Sequence, residues 1–97
     1  MPYEEELLRS PFSIRTWIRY IDHKRNGSFS ELCFVFERAL KELPGSYKLW
    51  KQYLDFRRDK LKGLNAARHR QQYNAVIALY ERALVLLNKV RRARHIE

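Results

Sequence analysis

One stretch of this 97-residue sequence occurs twice, and that repeat limits the fold more than any other feature. Residues 11–17 read PFSIRTW and residues 44–50 read PGSYKLW, an offset of 33, and Tyr20 returns as Tyr53 at the same offset. Sequence repeats of 33 or 34 residues are typical of solenoids built from helical hairpins. The chain is therefore expected to be a stack of similar helix pairs.

A second element extends the repeat and shows where its two copies differ. Residues 36–40 read FERAL and residues 80–84 read YERAL, an offset of 44 instead of 33. The difference of 11 predicts an insertion near residues 57–70, between the two helices of the second repeat. Insertions in solenoids lie on one face of the stack, which is often where partners bind.

The offset of 33 also sets Tyr3, Glu4 and Leu7 against Phe36, Glu37 and Leu40. The predicted organisation thus begins with the end of a preceding repeat helix at residues 1–10. A first repeat follows at residues 11–44, and a second repeat with the insertion at residues 45–88. A basic, divergent tail at residues 89–97 completes the chain.

Apolar residues recur at helical spacing in four segments, which favours an all-α fold. Helices are predicted near residues 3–9, 14–25, 29–43, 47–62 and 67–92. Ser13, Ser28 and Ser46 are the expected N-caps, Ser28 with Glu31 forming a capping box. Gly63 is expected to follow the end of the fourth helix, unless that helix bends and continues. The apolar stripe of the last helix is expected to be Tyr73, Val76, Ile77, Tyr80, Ala83, Leu84 and Leu87. The architecture expected is an α-α superhelix, or solenoid, of antiparallel helix hairpins.

The repeated residues are expected to have a structural role. Trp17 and Trp50 should fill the space between the two helices of their hairpins. Adjacent residues on a helix do not face each other, so each of Glu37, Arg38, Glu81 and Arg82 should pair with a neighbouring helix or with solvent. The structural motif set is Trp17, Tyr20, Phe36, Glu37, Arg38, Ala39, Leu40, Pro44, Trp50, Tyr53, Tyr80, Glu81, Arg82, Ala83 and Leu84.

No pattern in the sequence indicates catalysis, so an enzyme, a cofactor and a small-molecule substrate are not expected. Cys33 lies on an apolar stripe, where an inert thiol is expected, and the histidines are too scattered for a metal site. Glu4, Glu5 and Glu6 are expected to favour the dipole at the start of the first helix. No apolar run approaches the roughly 20 residues that span a bilayer, so a soluble, intracellular chain without membrane contact is expected.

The net charge of +9 is concentrated in two segments. Residues 57–70 carry +5 and residues 89–94 carry +4, while the rest of the chain is balanced. Basic clusters of this kind can contact the phosphates of RNA, although most are simply solvated. The residues expected to contact a partner or RNA are Arg57, Arg58, Lys60, Lys62, Arg68, Arg70, Lys89, Arg91, Arg92 and Arg94.

Trp-x-x-Tyr followed by (Phe/Tyr)-Glu-Arg-Ala-Leu and then Pro resembles the HAT, or half-a-TPR, repeat. The opening PYEEELLR, with SYKLW at residues 46–50, is similar to the N-terminal repeats of a pre-mRNA-splicing factor family called Syf one, or XPA-binding protein two. The resemblance implies a nuclear protein-binding scaffold in the spliceosome, within the NineTeen-associated complex. The partners implied are other helical-repeat splicing factors, such as the crooked-neck-like factor.

Two other functions remain open, and the sequence departs from the repeat pattern at one place. RNA could bind through segments 57–70 and 89–94, and the offset of 33 also permits a TPR-like adaptor that binds peptides. The next repeat should start with Pro and Trp, but Asn88 and Arg94 occupy these positions. A full scaffolding role for these residues alone is therefore in doubt.

Overall fold

A computed structural model describes the backbone of residues 2–96 and the side chains of residues 2–89. Within that range the chain forms helices and no strands. The five helices are α1 (Pro2–Arg9), α2 (Ile14–Lys24), α3 (Phe29–Glu42), α4 (Tyr47–Asp59) and α5 (Arg70–Ile96). The prediction of an all-helical solenoid is confirmed.

Serine caps fix where the three middle helices begin. The Oγ atoms of Ser13, Ser28 and Ser46 each accept a hydrogen bond from the backbone N–H three residues on, at 3.1–3.3 Å. Each cap satisfies an amide that the first turn of a helix leaves without a partner. The expected capping box is only half formed, because the Glu31 carboxylate lies 3.8 Å from the Lys24 ammonium of the preceding helix.

Helices that are consecutive in the sequence pack against each other. The molecule is only 14 Å across its shortest dimension, which is the thickness of two layers of packed helices. Consecutive helices alternate between the two layers, so α2 and α4 lie in one layer and α1, α3 and α5 lie in the other. Consecutive repeats therefore meet where α1 packs on α2 and where α3 packs on α4.

The core follows these contacts from one end of the stack to the other. Trp17 and Trp50 are 2% and 1% exposed, and Phe36 of α3 stacks on Tyr53 of α4 with 4.8 Å between ring centroids. Leu49 and Val35 are also buried, although neither lies on a predicted apolar stripe. A helix inside a solenoid packs against two neighbours and so buries a wider face than a single stripe.

The predicted stripe of α5 is wrong in part. Leu79 is buried instead, while Ile77 and Leu84 are 54% and 61% exposed. Among the described residues α5 packs mainly on α4, so the side chains of α5 that α4 does not cover are largely exposed. The helix also runs to Ile96, four residues beyond its predicted end. It continues through position 88 because Asn88, unlike the proline that follows α3, can donate a helical hydrogen bond.

The connection between α4 and α5 spans residues 60–69. Helix α4 ends at Asp59, three residues before the prediction, and does not continue through Gly63, whose φ of 80° suits glycine. The Asn65 side chain accepts hydrogen bonds from the amides of Ala67 and Arg68, at 2.9 and 3.2 Å. These bonds form a separate turn, so α5 begins at Arg70 and not at the predicted residue 67.

Candidate functional site

The first charged cluster consists of Glu4, Tyr20 and Arg38, from three different helices. Arg38 donates two hydrogen bonds to the Glu4 carboxylate, at 2.7 and 2.8 Å, and the Tyr20 hydroxyl donates a third. The hydrogen bonds from Arg38 and Tyr20 lower the pKa of Glu4 to about 2. The guanidinium also lies 5.3 Å from the Trp17 ring centroid, within cation–π range. The cluster joins α1 to α3 across α2.

The second charged cluster, Glu37, Tyr53 and Arg82, repeats this geometry one repeat further on. Arg82 donates two hydrogen bonds to the Glu37 carboxylate, and the Tyr53 hydroxyl donates another at 2.8 Å. Arg82 lies 5.2 Å from the Trp50 ring centroid. The bonds from Arg82 lower the pKa of Glu37, while burial and the bond to Glu37 raise the pKa of Tyr53. This cluster joins α3 to α5.

Each motif tryptophan is anchored by the proline that precedes its helix. The indole N–H of Trp17 donates to the Pro11 carbonyl at 2.7 Å, and that of Trp50 donates to the Pro44 carbonyl at 2.8 Å. A buried indole needs such a partner, because an unpaired N–H away from water is costly. The spacing of Pro and Trp in the repeat is therefore a hydrogen-bond requirement as well as a packing one.

Helix α5 carries the Glu-Arg-Ala-Leu motif again at residues 81–84, but within the described part of the chain its glutamate does not bind a tyrosine and an arginine as Glu4 and Glu37 do. Glu81 corresponds to Glu37 at the offset of 44, yet no ion pair or hydrogen bond reaches its carboxylate among the described side chains. Leu84 is 61% exposed, whereas its counterpart Leu40 is 2% exposed. We call the surface of α5 that carries Ile77, Glu81 and Leu84 the end face. It has the residue types of a repeat interface, and no helix of the described residues covers Ile77 or Leu84.

A cavity of about 300 Å³ lies between α4 and the end face. Trp50 and Leu54 line it from α4, and Tyr80, Ala83 and Leu84 line it from α5. Such a volume is at the lower limit of ligand pockets. Because its lining is the motif surface itself, the cavity is the kind of groove into which a helix carrying large side chains packs.

Three of the predicted basic contact residues have polar partners within the described structure. Arg58 pairs with Asp55 and Lys62 pairs with Asp59, both at 3.2 Å. Arg57 donates to the Tyr53 hydroxyl at 3.2 Å. Lys60, Arg68, Arg70 and Lys89 are exposed, and the side chains of Arg91, Arg92 and Arg94 lie outside the described residues.

The model of one sequence family, described as "Pre-mRNA-splicing factor Syf1/CNRKL1 N-terminal HAT repeat", matches residues 1–94 of this chain. The chain belongs to this family. The HAT motif of that family accounts for the residues brought together in the two charged clusters and at the two tryptophans. The predicted family resemblance is confirmed.

Individual members of the Syf1 group are similar over most of this chain. The pre-mRNA-splicing factor syf1 of Aspergillus fumigatus is 55% identical over 85 residues, which are 87% of this chain and 10% of that protein. The syf1 homolog of Drosophila melanogaster is 47% identical over 92 residues, covering 95% of this chain and 10% of its own length. SYF1 of Rattus norvegicus is 43% identical over 96 residues, with the same coverage. The chain thus spans about a tenth of the length of these relatives.

Two residues of this HAT-repeat chain have roles that sequence reasoning missed. Glu4 was expected to favour the helix dipole, but its carboxylate is the acceptor of the first charged cluster. Glu6 lies beyond the first turn of α1 and accepts a hydrogen bond from the Thr16 hydroxyl at 3.3 Å. The offset of 33 that aligns Glu4 with Glu37 was the signal for the first of these roles.

Three further observations concern the thiol, metal ligands and membrane-spanning helices in the described residues. Burial raises the pKa of the half-buried Cys33 thiol, which disfavours the nucleophilic thiolate. No group of three or more potential metal ligands occurs among the described residues. No helix in that range is long and apolar enough to cross a membrane.

Proposed function

We propose that this chain is a protein-binding scaffold segment of a nuclear pre-mRNA-splicing factor. Its relatives in three organisms are named as splicing factors, which supports a role in the spliceosome. The partners proposed are helical-repeat proteins that pack against the stack. The role is binding and not catalysis.

The observation that carries the proposal is the end face of α5. It combines exposed Leu84 and Ile77 with a carboxylate, Glu81, in the position where Glu4 and Glu37 each bind a tyrosine and an arginine. An exposed apolar stripe is typical of an interaction surface, and a solvated carboxylate beside it can accept hydrogen bonds from a partner. A partner helix that supplies Tyr, Arg and apolar side chains would complete the pattern.

The test is recovery of splicing proteins from nuclear extract with the tagged chain as bait. Leu84→Asp places a charge on the end face, and Val85→Asp is the matched control, since Val85 is equally exposed on α5 but does not line the end-face cavity. We expect helical-repeat splicing factors to be recovered with the wild type and with Val85→Asp, and to be lost with Leu84→Asp. Equal recovery with both variants, or none with the wild type, would refute the proposal.

A further inference from the structure

A second cavity of about 300 Å³ lies beside the 60–69 connection. We call it the loop cavity. Phe29 at the start of α3 forms one wall, Leu61 and Leu64 of the connection form another, and Ala75 and Val76 of α5 form the third. Phe29 remains 45% exposed. Apolar side chains thus line a concave, open site.

The connection that builds this cavity is held in a defined shape. The Tyr73 hydroxyl donates to the Leu64 carbonyl at 3.1 Å, which ties the connection to α5. Gly63 supplies the one positive φ angle in the described backbone, and Asn65 caps the next turn. The first hairpin has only residues 25–28 at the equivalent place. The inserted residues therefore create a preformed wall that the first repeat lacks.

Two cations lie among the cavity-lining residues without a carboxylate partner. Arg57 and Lys60 line the cavity, and no described carboxylate lies within 4.0 Å of either. Arg57 instead stands 5.6 Å from the Phe29 ring centroid, and Lys60 stands 5.4 Å from that of Phe56. The neighbouring cations Arg58 and Lys62 are already neutralised by aspartates. Apolar and cationic side chains, together with Gln71 and Gln72, therefore line the same cavity.

We propose that the loop cavity binds a short acidic peptide segment of a partner protein. One leucine-like side chain of the peptide enters the cavity, and flanking carboxylates pair with Arg57 and Lys60. The proposal rests on the protein-binding function proposed above and assigns it a second surface. Charge complementarity defines the partner, since an acidic segment would neutralise two cations that have no described carboxylate within 4.0 Å.

The lining favours a peptide over single-stranded RNA. Sequence-tolerant RNA binding depends on aromatic faces on which bases stack. Leu61, Leu64, Ala75 and Val76 are aliphatic, and the Phe29 ring already contacts Phe56 and Arg57. These walls accommodate an apolar side chain, but they offer little surface for a stacked base.

The proposal is tested by fluorescence anisotropy with the whole chain and a labelled synthetic peptide of Asp and Glu around one central Leu. The comparison probes are the same peptide with central Ala and an oligouridine of equal charge. We expect saturable binding of the leucine peptide and about tenfold weaker binding of the alanine peptide, because the apolar side chain is lost. Oligouridine should bind more weakly than the leucine peptide.

Two pairs of variants locate the binding site. Lys60→Glu and Lys62→Glu change the charge equally within one connection, but only Lys60 lines the cavity. Ala75→Trp fills the cavity from an exposed helix position, and Ala78→Trp makes the same change at an exposed position outside it. We expect Lys60→Glu and Ala75→Trp each to weaken peptide binding by about fivefold or more, and their partners to have less than a twofold effect. Circular dichroism verifies that each variant is folded.

Three results would overturn the inference. These are the absence of leucine-peptide binding, equal weakening by both members of either pair, and oligouridine binding that is tighter and insensitive to Ala75→Trp. The last result would assign the basic connection to RNA. Because the end-face test uses Leu84 and Val85, loss of this inference would leave the proposed scaffold function standing, and loss of that function would leave peptide binding measurable.

Discussion

Leu40 and Leu84 occupy the same motif position but should differ sharply in their contribution to stability. Leu40 is 2% exposed, so Leu40→Ala removes buried atoms and leaves a cavity, at a cost of about 3 kcal/mol. Leu84 buries only the remaining part of a side chain that is 61% exposed, so Leu84→Ala should cost at most about 1 kcal/mol. Leucine and alanine have similar helix propensities, so the helix itself changes little. A chain of this size has roughly 5–15 kcal/mol of stability to lose.

Urea unfolding followed by tryptophan fluorescence measures this difference directly. Trp17 and Trp50 are both buried, so unfolding should shift their emission to longer wavelength. With a slope of about 1.5 kcal/mol per molar urea, Leu40→Ala should lower the midpoint by about 2 M and Leu84→Ala by about 0.7 M or less. The measurement should be made at low protein concentration, so that two chains do not associate through the end face and bury Leu84.

Equal losses for the two variants at low concentration would refute the reasoning, because they would mean that the end face of α5 is covered as fully as α3. A loss below about 1 kcal/mol for Leu40→Ala would be equally damaging, since a buried leucine in a packed repeat interface cannot be removed so cheaply.

Three further measurements follow from the charged clusters and from the length of α5. Because Arg38 and Tyr20 lower the pKa of Glu4 from 4.5 to about 2, their stabilisation is complete above pH 4.5 and is lost as the pH falls toward 2. Urea midpoints should therefore fall in that window by an amount worth about 1 kcal/mol for this partly exposed pair, and Glu4→Gln should remove that part of the fall. Tyr53→Phe should destabilise the chain by about 1–2 kcal/mol, since its hydroxyl bonds Glu37 and Arg57, whereas Tyr47→Phe at an exposed position should be neutral by the same urea assay. Asn88→Pro should end α5 one turn or more before residue 88 and reduce helical ellipticity, and unchanged ellipticity would show that the helix does not depend on this residue.

The helices could be predicted because the information for them is local. Serine caps, Pro44 and the apolar spacing all act within a few residues, so four of the five predicted starts fall within one residue of the structure. The burial of α5 could not be predicted in the same way. A periodic pattern shows which residues could be covered, but whether Ile77 or Leu79 is buried depends on which neighbour is present.

The charged clusters were only partly accessible to sequence reasoning. Arg38 and Glu4 are 34 residues apart, and Arg82 and Glu37 are 45 apart, so no helical spacing brings them together. The repeat offsets align the members of the two clusters with each other, but they do not show which acid meets which base. The loop cavity depends on how residues 60–69 close, and a net charge of +5 over residues 57–70 gave no sign of its apolar lining.

The arginine forks of the two charged clusters tie together helices that share little other contact. The hairpins themselves are held by buried aromatic and aliphatic side chains, which salt and mild acid leave intact. The seam between the two hairpins combines both kinds of contact, since Phe36 stacks on Tyr53 there beside the Glu37–Arg82 pair. Neutralising a fork would therefore weaken the polar part of this seam and leave its apolar part in place, so that the hairpins stay joined.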